Sequence, residues 1–257
     1  DRVNTAMTRG VPIVKVGVIH PVESFWLHWG PNDKSGLFRE ELDKNFQELT
    51  KWLIFGSIDF DFISESLLPE LCPQADAPLR VGEMKYDVIV VPGCETLRSS
   101  TLDRLEKFRE DGGRVIFLGE APTLEDAQPS DRGERLFKNS EHMPYQRASL
   151  LTALDASRTV CIRDDDGYLS DGLIYQLRED TDSLWLFVAH AVEPYDCNIT
   201  NFNDIKITVK GEYSPVIYDT LSGEIKPAEF DYLNGNTVIS ARLYEYDSLL
   251  LRLYDGC

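Results

Sequence analysis

The sequence is 257 residues long, enough for one large domain or two ordinary ones, and its 42% hydrophobic content is enough for real cores. A formal net charge of −18 sets it against nucleic acid and anionic lipid surfaces, because phosphate binding needs clustered Lys and Arg. No apolar run approaches the length of a membrane span.

Residues 1–11 are polar and read as an arm or the tail of a preceding element. Ile13 to Ile19 (IVKVGVI) is the first expected strand, with His20-Pro21 as its exit. The loop that follows carries His20, Glu23, Trp26, His28 and Trp29 in a short space. A helix is expected from about Leu37 to Phe55, where Leu42, Phe46, Leu49 and Leu53 form one stripe at helical spacing. Ile58 to Ile63 alternates apolar and acidic residues, as a strand with one wetter face does. Val88 to Val91 is an unbroken β-branched run, the signature of a strand buried on both faces. Pro92-Gly93 closes it, and Ser99, Ser100 or Thr101 can cap a helix whose apolar residues are Leu102, Leu105 and Phe108. Gly112-Gly113 ends that helix and Val115 to Leu118 is a further buried strand, completing a βαβ unit.

Such an alternation begins an open, doubly wound parallel sheet. If the order is flavodoxin-like, the first strand and the Val88 strand meet at the switch point, where ligands of such sheets collect. That crevice would gather the His20–Trp29 loop, Gly93-Cys94-Glu95 and Gly119-Glu120. Thr123 to Asn139 reads as a polar surface excursion, and a short helix follows around Tyr145 to Leu154. From Val160 onward the pattern changes to eight short strand-like runs separated by Asp-Gly, Ser-Gly and Asn-Gly turns, as in an antiparallel β-sandwich. The expected domains are therefore 1–157, α/β, and 158–257, β-sandwich.

The first half resembles the class I glutamine-amidotransferase-like domain. Tyr86-Asp87 and Pro92-Gly93-Cys94 match that superfamily's YDxxxxPGG strand end. Where the family places its nucleophilic Cys, this chain has Gly119-Glu120-Ala121, so amidotransferase chemistry has no thiol to work with. Cys94 is no replacement, since it occupies the second glycine of PGG. Amidotransferase-like domains lacking that nucleophile form the middle domain of family 42 β-galactosidases and related large bacterial glycoside hydrolases. There they follow a (β/α)8 barrel and help build the oligomer. LEKFREDGGRVIFLGEAP resembles that middle domain, and VIYDTLSGEIKPAEF with NGNTVISARLYEYDSLLLRL resembles the β-sandwich tails of such enzymes. NTAMTRGVPIVKVGVIHPVESFWLHWGP is similar to the segment with which large, mostly uncharacterised bacterial hydrolases lead into this domain.

The barrel and its paired carboxylates are not in these 257 residues. The resemblance therefore implies a non-catalytic accessory or oligomerisation region of a bacterial glycoside hydrolase. Its partners would be a catalytic barrel of the same polypeptide and further copies of itself. The chain begins at Asp1 rather than Met, which fits a piece of something longer. Five cysteines (72, 94, 161, 197, 257) have no metal-like spacing and an odd count; with no signal peptide visible, a cytoplasmic setting is expected.

Two other functions stay open. As a carbohydrate-binding module, the chain would stack Trp26 or Trp29 on a sugar while His20, Glu23, His28, Cys94 and Glu95 line the site; as domain contacts, the same tryptophans would simply pack on a neighbour. As an independent hydrolase, it would use Glu120 and Glu23 as catalytic carboxylates; otherwise Glu120, like Glu95 and Glu65, is a hydrogen-bonded or solvated loop residue. Asp59 and Asp61 share one side of a strand and could meet a cation or simply face solvent. Asp164-Asp165-Asp166-Gly167 reads as a turn, and the Asn198-Ile199-Thr200 sequon has no force in a cytoplasmic protein. No cofactor and no metal are expected.

Overall fold

The computed structural model describes residues 1–193 and 201–256. Cys197, Cys257 and the Asn198–Thr200 sequon lie outside the described residues. The chain forms two compact units: Val14–Leu53 with Phe60–Ser157, and Asp1–Ile13 with Ile54–Asp59 and Arg158–Cys257. The expected division at 157/158 differs from this grouping at two segments, 1–13 and 54–59, which group with the later unit.

In chain order, α1 (Arg2–Met7) and β1 (Val11–Pro12) belong to the later unit. The α/β unit then runs through β2 (Val16–Ile19), α2 (Val22–Leu27), α3 (Asn32–Phe55), β3 (Phe60–Ile63) and α4 (Leu68–Leu71). A hairpin, β4 (Leu79–Val81) and β5 (Met84–Tyr86), leads to β6 (Val88–Pro92), β7 (Thr96–Leu97), α5 (Ser99–Glu110) and β8 (Arg114–Leu118). The unit ends with β9 (Leu124–Glu125), β10 (Gln128–Pro129), α6 (Arg132–Lys138), β11 (Glu141–Met143) and α7 (Arg147–Ala153).

Its main sheet is parallel, with spatial order β11-β8-β6-β2-β3. Val16, Gly17 and Val18 pair with Val88, Ile89 and Val90, so the chain reverses its direction of winding between β2 and β6. The switch point thus lies at the carboxyl ends of these two strands. All four residues of β2 and all five of β6 are buried, as expected of strands covered on both faces. Helix α5 sends Leu102, Leu105 and Phe108 into the core. Its end is a Schellman motif: Gly113 N–H donates to the Phe108 carbonyl at 2.8 Å and Gly112 N–H to that of Arg109 at 3.1 Å.

Three local expectations are corrected. Ile13–Ile19 is not one strand: only Val16–Ile19 joins the parallel sheet, while Val11-Pro12 pairs with Arg178 and Glu179. Pro12 lacks an N–H and is confined to such an edge position. The polar stretch 123–139 is not an unstructured excursion, because it holds the β9–β10 hairpin and α6 and leads into β11, the fifth parallel strand. That strand is short, polar and at the edge, so it carries no hydrophobic signal. Finally, Ser99, Ser100 and Thr101 do not cap α5; Arg98 is the N-cap residue and makes no side-chain cap bond.

In the later unit, β12 (Val160–Asp164), β13 (Leu173–Glu179), β14 (Ser183–His190), β15 (Phe202–Lys210), β16 (Tyr213–Tyr218), β17 (Ile225–Pro227), β18 (Glu229–Leu233), β19 (Asn236–Tyr244) and β20 (Ser248–Asp255) form two antiparallel sheets. Their orders are β1-β13-β14-β20-β16-β17 and β12-β15-β19-β18. Leu177, Leu186, Leu251 and Leu253 of one sheet and Val160, Ile162, Ile207 and Val209 of the other form a common core, which makes the unit a β-sandwich. The run Ile225–Phe230 is divided between the two sheets as β17 and β18. The residues expected to form an arm include α1, whose Ala6 packs with Trp185 and Leu250. Arg2 Nη1 fixes this helix by donating to the carbonyls of Thr220 and Leu221.

Candidate functional site

The switch-point end of the parallel sheet carries the turns that follow β2, β3, β6 and β8. Gly93 and Gly119 follow β6 and β8 with φ of 47° and 80°, a conformation glycine adopts without strain. The ring of Tyr145 lies over both: a Cβ at either glycine would sit 3.7 or 3.6 Å from it. Its hydroxyl donates to the Asn45 carbonyl at 2.8 Å, and burial raises the phenol pKa. An aromatic ring therefore covers the turn after β8.

Around the turn after β6, polar side chains are engaged with backbone. Ser24, buried on α2, accepts from Glu95 N–H at 3.0 Å and Thr96 N–H at 3.2 Å. It also donates to the Thr96 carbonyl at 3.4 Å. Glu65, 1% exposed after β3, accepts the Arg98 N–H at 2.8 Å at the start of α5. Asp126 accepts the next amide, Ser99 N–H, at 3.1 Å. Two carboxylates distant in sequence thus do the capping expected of local hydroxyls, and both favour the positive end of the helix. Burial is the largest influence on Glu65 and raises its pKa, while the Arg98 amide and Thr101 hydroxyl act in the opposite direction. Asp126 is held below the usual range chiefly by Ser99.

The residues singled out in the sequence are distributed around this network rather than gathered in one cleft. His20 packs its half-buried ring on Phe46 at 5.1 Å, and burial lowers its pKa. With Val22, Phe25 and Leu42 it lines an apolar hollow of about 210 Å³ on one side of α2. On the other side, Glu23, Trp26 and Leu27 line a groove of about 340 Å³ with Thr96, Arg98 and Asp126. Glu23 Oε1 accepts from Arg98 Nε at 2.7 Å and Nη2 at 2.6 Å. His28 Nε2 is 2.5 Å from Glu95 Oε2 and its ring lies 4.0 Å from that of Phe38. Cys94 is 2% exposed, with its thiol pKa pushed well up by burial and by Glu65; a thiol so placed supplies little thiolate. Glu120 is exposed. Asp61 accepts the Tyr86 hydroxyl at 2.9 Å, while Asp59 falls in the sandwich unit. Among the described residues no group of three His, Cys, Asp or Glu side chains is placed to hold a metal ion, and no helix is long and apolar enough to cross a membrane.

Sequence reading did not find Ser24, Arg98, Asp126 or Tyr145. Ser24 sits inside a helix, where serine has no cap signal. Asp126 is the first residue of a two-residue hairpin turn in which Asp126 and Ala127 have φ of 48° and 62°. Such turns are usually marked by Asn-Gly or Asp-Gly, and Asp-Ala lacks the glycine.

No protein-family model and no curated protein matches the sequence. Solved structures do. A rhamnosidase from Novosphingobium sp. PP1Y aligns over 96% of this chain and 23% of its own, with a TM-score of 0.63 and 14% identity. A GH42 β-galactosidase from G. stearothermophilus aligns over 94% of this chain and 40% of its own, with a TM-score of 0.60 and 9% identity. The α-L-fucosidase isoenzyme 2 from Paenibacillus thiaminolyticus aligns over 96% and 49%, with a TM-score of 0.55 and 11% identity. The chain spans less than half the length of each of these proteins. At such identities the likeness is one of fold: a parallel α/β unit followed by a β-sandwich, as found within glycoside hydrolases.

Proposed function

We propose that the chain is a non-catalytic accessory region of a larger carbohydrate-active enzyme whose catalytic barrel lies elsewhere in the same polypeptide. One observation carries this reading. At the switch point, where an α/β enzyme keeps its reactive groups, Glu65 and Ser24 hold backbone amides, Glu23 holds Arg98, and Cys94 is buried. Tyr145 lies over the turn at Gly119. A general acid or nucleophile must reach a substrate atom, and these groups are turned to the fold instead.

The parallel strands, numbered in chain order, lie as 2-1-3-4-5, which supports the flavodoxin-like, amidotransferase-like assignment. Its occurrence together with a β-sandwich supports kinship with the middle and tail domains of family 42 β-galactosidases. Trp29, just before α3, and Leu37 and Phe38 in its first turns leave large apolar side chains exposed, Trp29 to 70%. Such side chains suit contact with the barrel or with another copy in a homo-oligomer. A bacterial, cytoplasmic setting accompanies this reading.

The test is hydrolysis of nitrophenyl glycosides of galactose, fucose and rhamnose by the purified, folded chain. The expected result is release of nitrophenol at the rate of buffer alone. Turnover that disappears in Glu120→Gln or Glu23→Gln would overturn the accessory reading in favour of an independent hydrolase.

A further inference from the structure

The groove on the Glu23 side of α2 has the composition of a saccharide site. Trp26 leaves 58% of its surface exposed at one wall. The position three residues earlier on the same helix face is Glu23, which fixes the Arg98 guanidinium through Nε and Nη2. A guanidinium has five N–H donors, so those not taken by Glu23 have no partner among the described residues. Asp126, anchored on the Ser99 amide, adds a carboxylate to the lining. A flat apolar platform, a preorganised donor and a preorganised acceptor thus converge within about 340 Å³.

We propose that this groove binds a neutral pyranose, with one face of the ring on Trp26 and its hydroxyls bridging Arg98 and Asp126. A pyranose presents a flat C–H face to the indole, and each hydroxyl can both accept from Arg98 and donate to Asp126. Charge decides between sugar classes. Glu23 and Asp126 outnumber Arg98 in the lining, and the chain as a whole carries −18, so uronic and sulfated sugars are repelled. An organic cation would suit Trp26 and the carboxylates but would meet the unpartnered edge of Arg98. The two sides of α2 also differ: the His20 hollow is walled mainly by Pro21, Val22, Phe25, Leu42 and Phe46, with His20 and Asp43 as its polar groups and no guanidinium or exposed Trp. The groove is independent of the accessory reading, since a chain that turns sugars over and one that does not can both carry it.

The test is saturation-transfer NMR, with Trp fluorescence as a second readout, on the folded chain. The probes are the methyl glycosides of rhamnose, fucose and galactose, with glucuronate as the anionic control. The expected result is saturable binding of at least one neutral glycoside in the millimolar range and none of glucuronate. Trp26→Ala weakens that binding about tenfold, the scale of one aromatic stacking contact. Trp26→Phe keeps part of it, and Tyr168→Ala, on an exposed turn of the sandwich unit, leaves it unchanged. The proposal is overturned if no neutral glycoside binds, if glucuronate binds best, or if Trp26→Ala leaves binding intact. A Trp26→Ala chain that changes its sedimentation while the parent binds no sugar marks Trp26 as a protein contact instead.

Discussion

Replacing Phe108 by alanine destabilises the α/β unit by about 3–5 kcal/mol, the usual cost of deleting a buried aromatic ring together with the cavity it leaves. Phe108 is fully buried on the inner face of α5, beside Leu102 and Leu105. Its ring also lies directly over Gly113, where an added Cβ would come within 2.2 Å of it. The side chain therefore packs the βαβ core and covers the turn that ends the helix. Neighbouring backbone cannot collapse into the space without disturbing the Gly113 N–H bond to the Phe108 carbonyl. Urea unfolding followed by far-ultraviolet circular dichroism measures the effect. A loss below about 1 kcal/mol, the scale of a surface or volume-conserving change, contradicts the packing described.

Replacing Glu65 by alanine costs about 1–3 kcal/mol, because the Arg98 amide loses its acceptor at a buried site. Glu65→Gln behaves differently, since an amide oxygen can still accept from Arg98. The pH dependence follows from burial, which raises the Glu65 pKa in the folded state. Well below the ordinary carboxyl range both folded and unfolded chains hold the proton. As pH rises through that range the unfolded chain ionises first, and its release of a proton favours unfolding. The stability associated with protonated Glu65 is thus present in acid and lost as pH climbs to the folded-state pKa. Glu65→Gln removes this titration, so its stability relative to the parent rises between about pH 4 and about pH 8. Urea midpoints of the parent and both variants at these two pH values give the test. A flat difference between parent and Glu65→Gln removes the buried ionisation, and a Glu65→Ala chain as stable as the parent removes the cap.

Much of the architecture is legible in the sequence because it rests on local regularities. The run Val88–Val91 and the Leu102-Leu105-Phe108 spacing announce a buried strand and an amphipathic helix, and both are found. The short runs after Val160 announce an antiparallel sandwich for the same reason, although Ile225–Phe230 gives no sign that it crosses from one sheet to the other. The features that are not legible depend on tertiary placement. β11 is an edge strand of Glu141, His142 and Met143, and only its pairing with Ile116–Leu118 makes it a strand. Val11 falls at the end of a stretch that reads as a polar arm, yet Val11-Pro12 pairs with β13.

The site divides along the same line. The crowding of His20, Glu23, Trp26 and His28 is visible in the chain, but α2 and its two ends give them different partners. His20 meets Phe46, Glu23 meets Arg98, and His28 meets Glu95. Arg98 and Asp126 complete the groove from segments about 75 and 100 residues away, and no spacing in the sequence could have joined them to Trp26.

Amide hydrogen exchange tests most directly whether Ser24 and Glu65 hold backbone at the switch point rather than face a substrate. Glu95, Thr96 and Arg98 donate their N–H groups to Ser24 and Glu65, outside any helix or sheet ladder. In the folded chain these three amides are expected to exchange slowly, on the scale of the buried β6 strand. Exchange of all three at the rate of an open loop, in a chain whose β6 amides stay protected, would contradict the network and reopen the crevice as a reactive site.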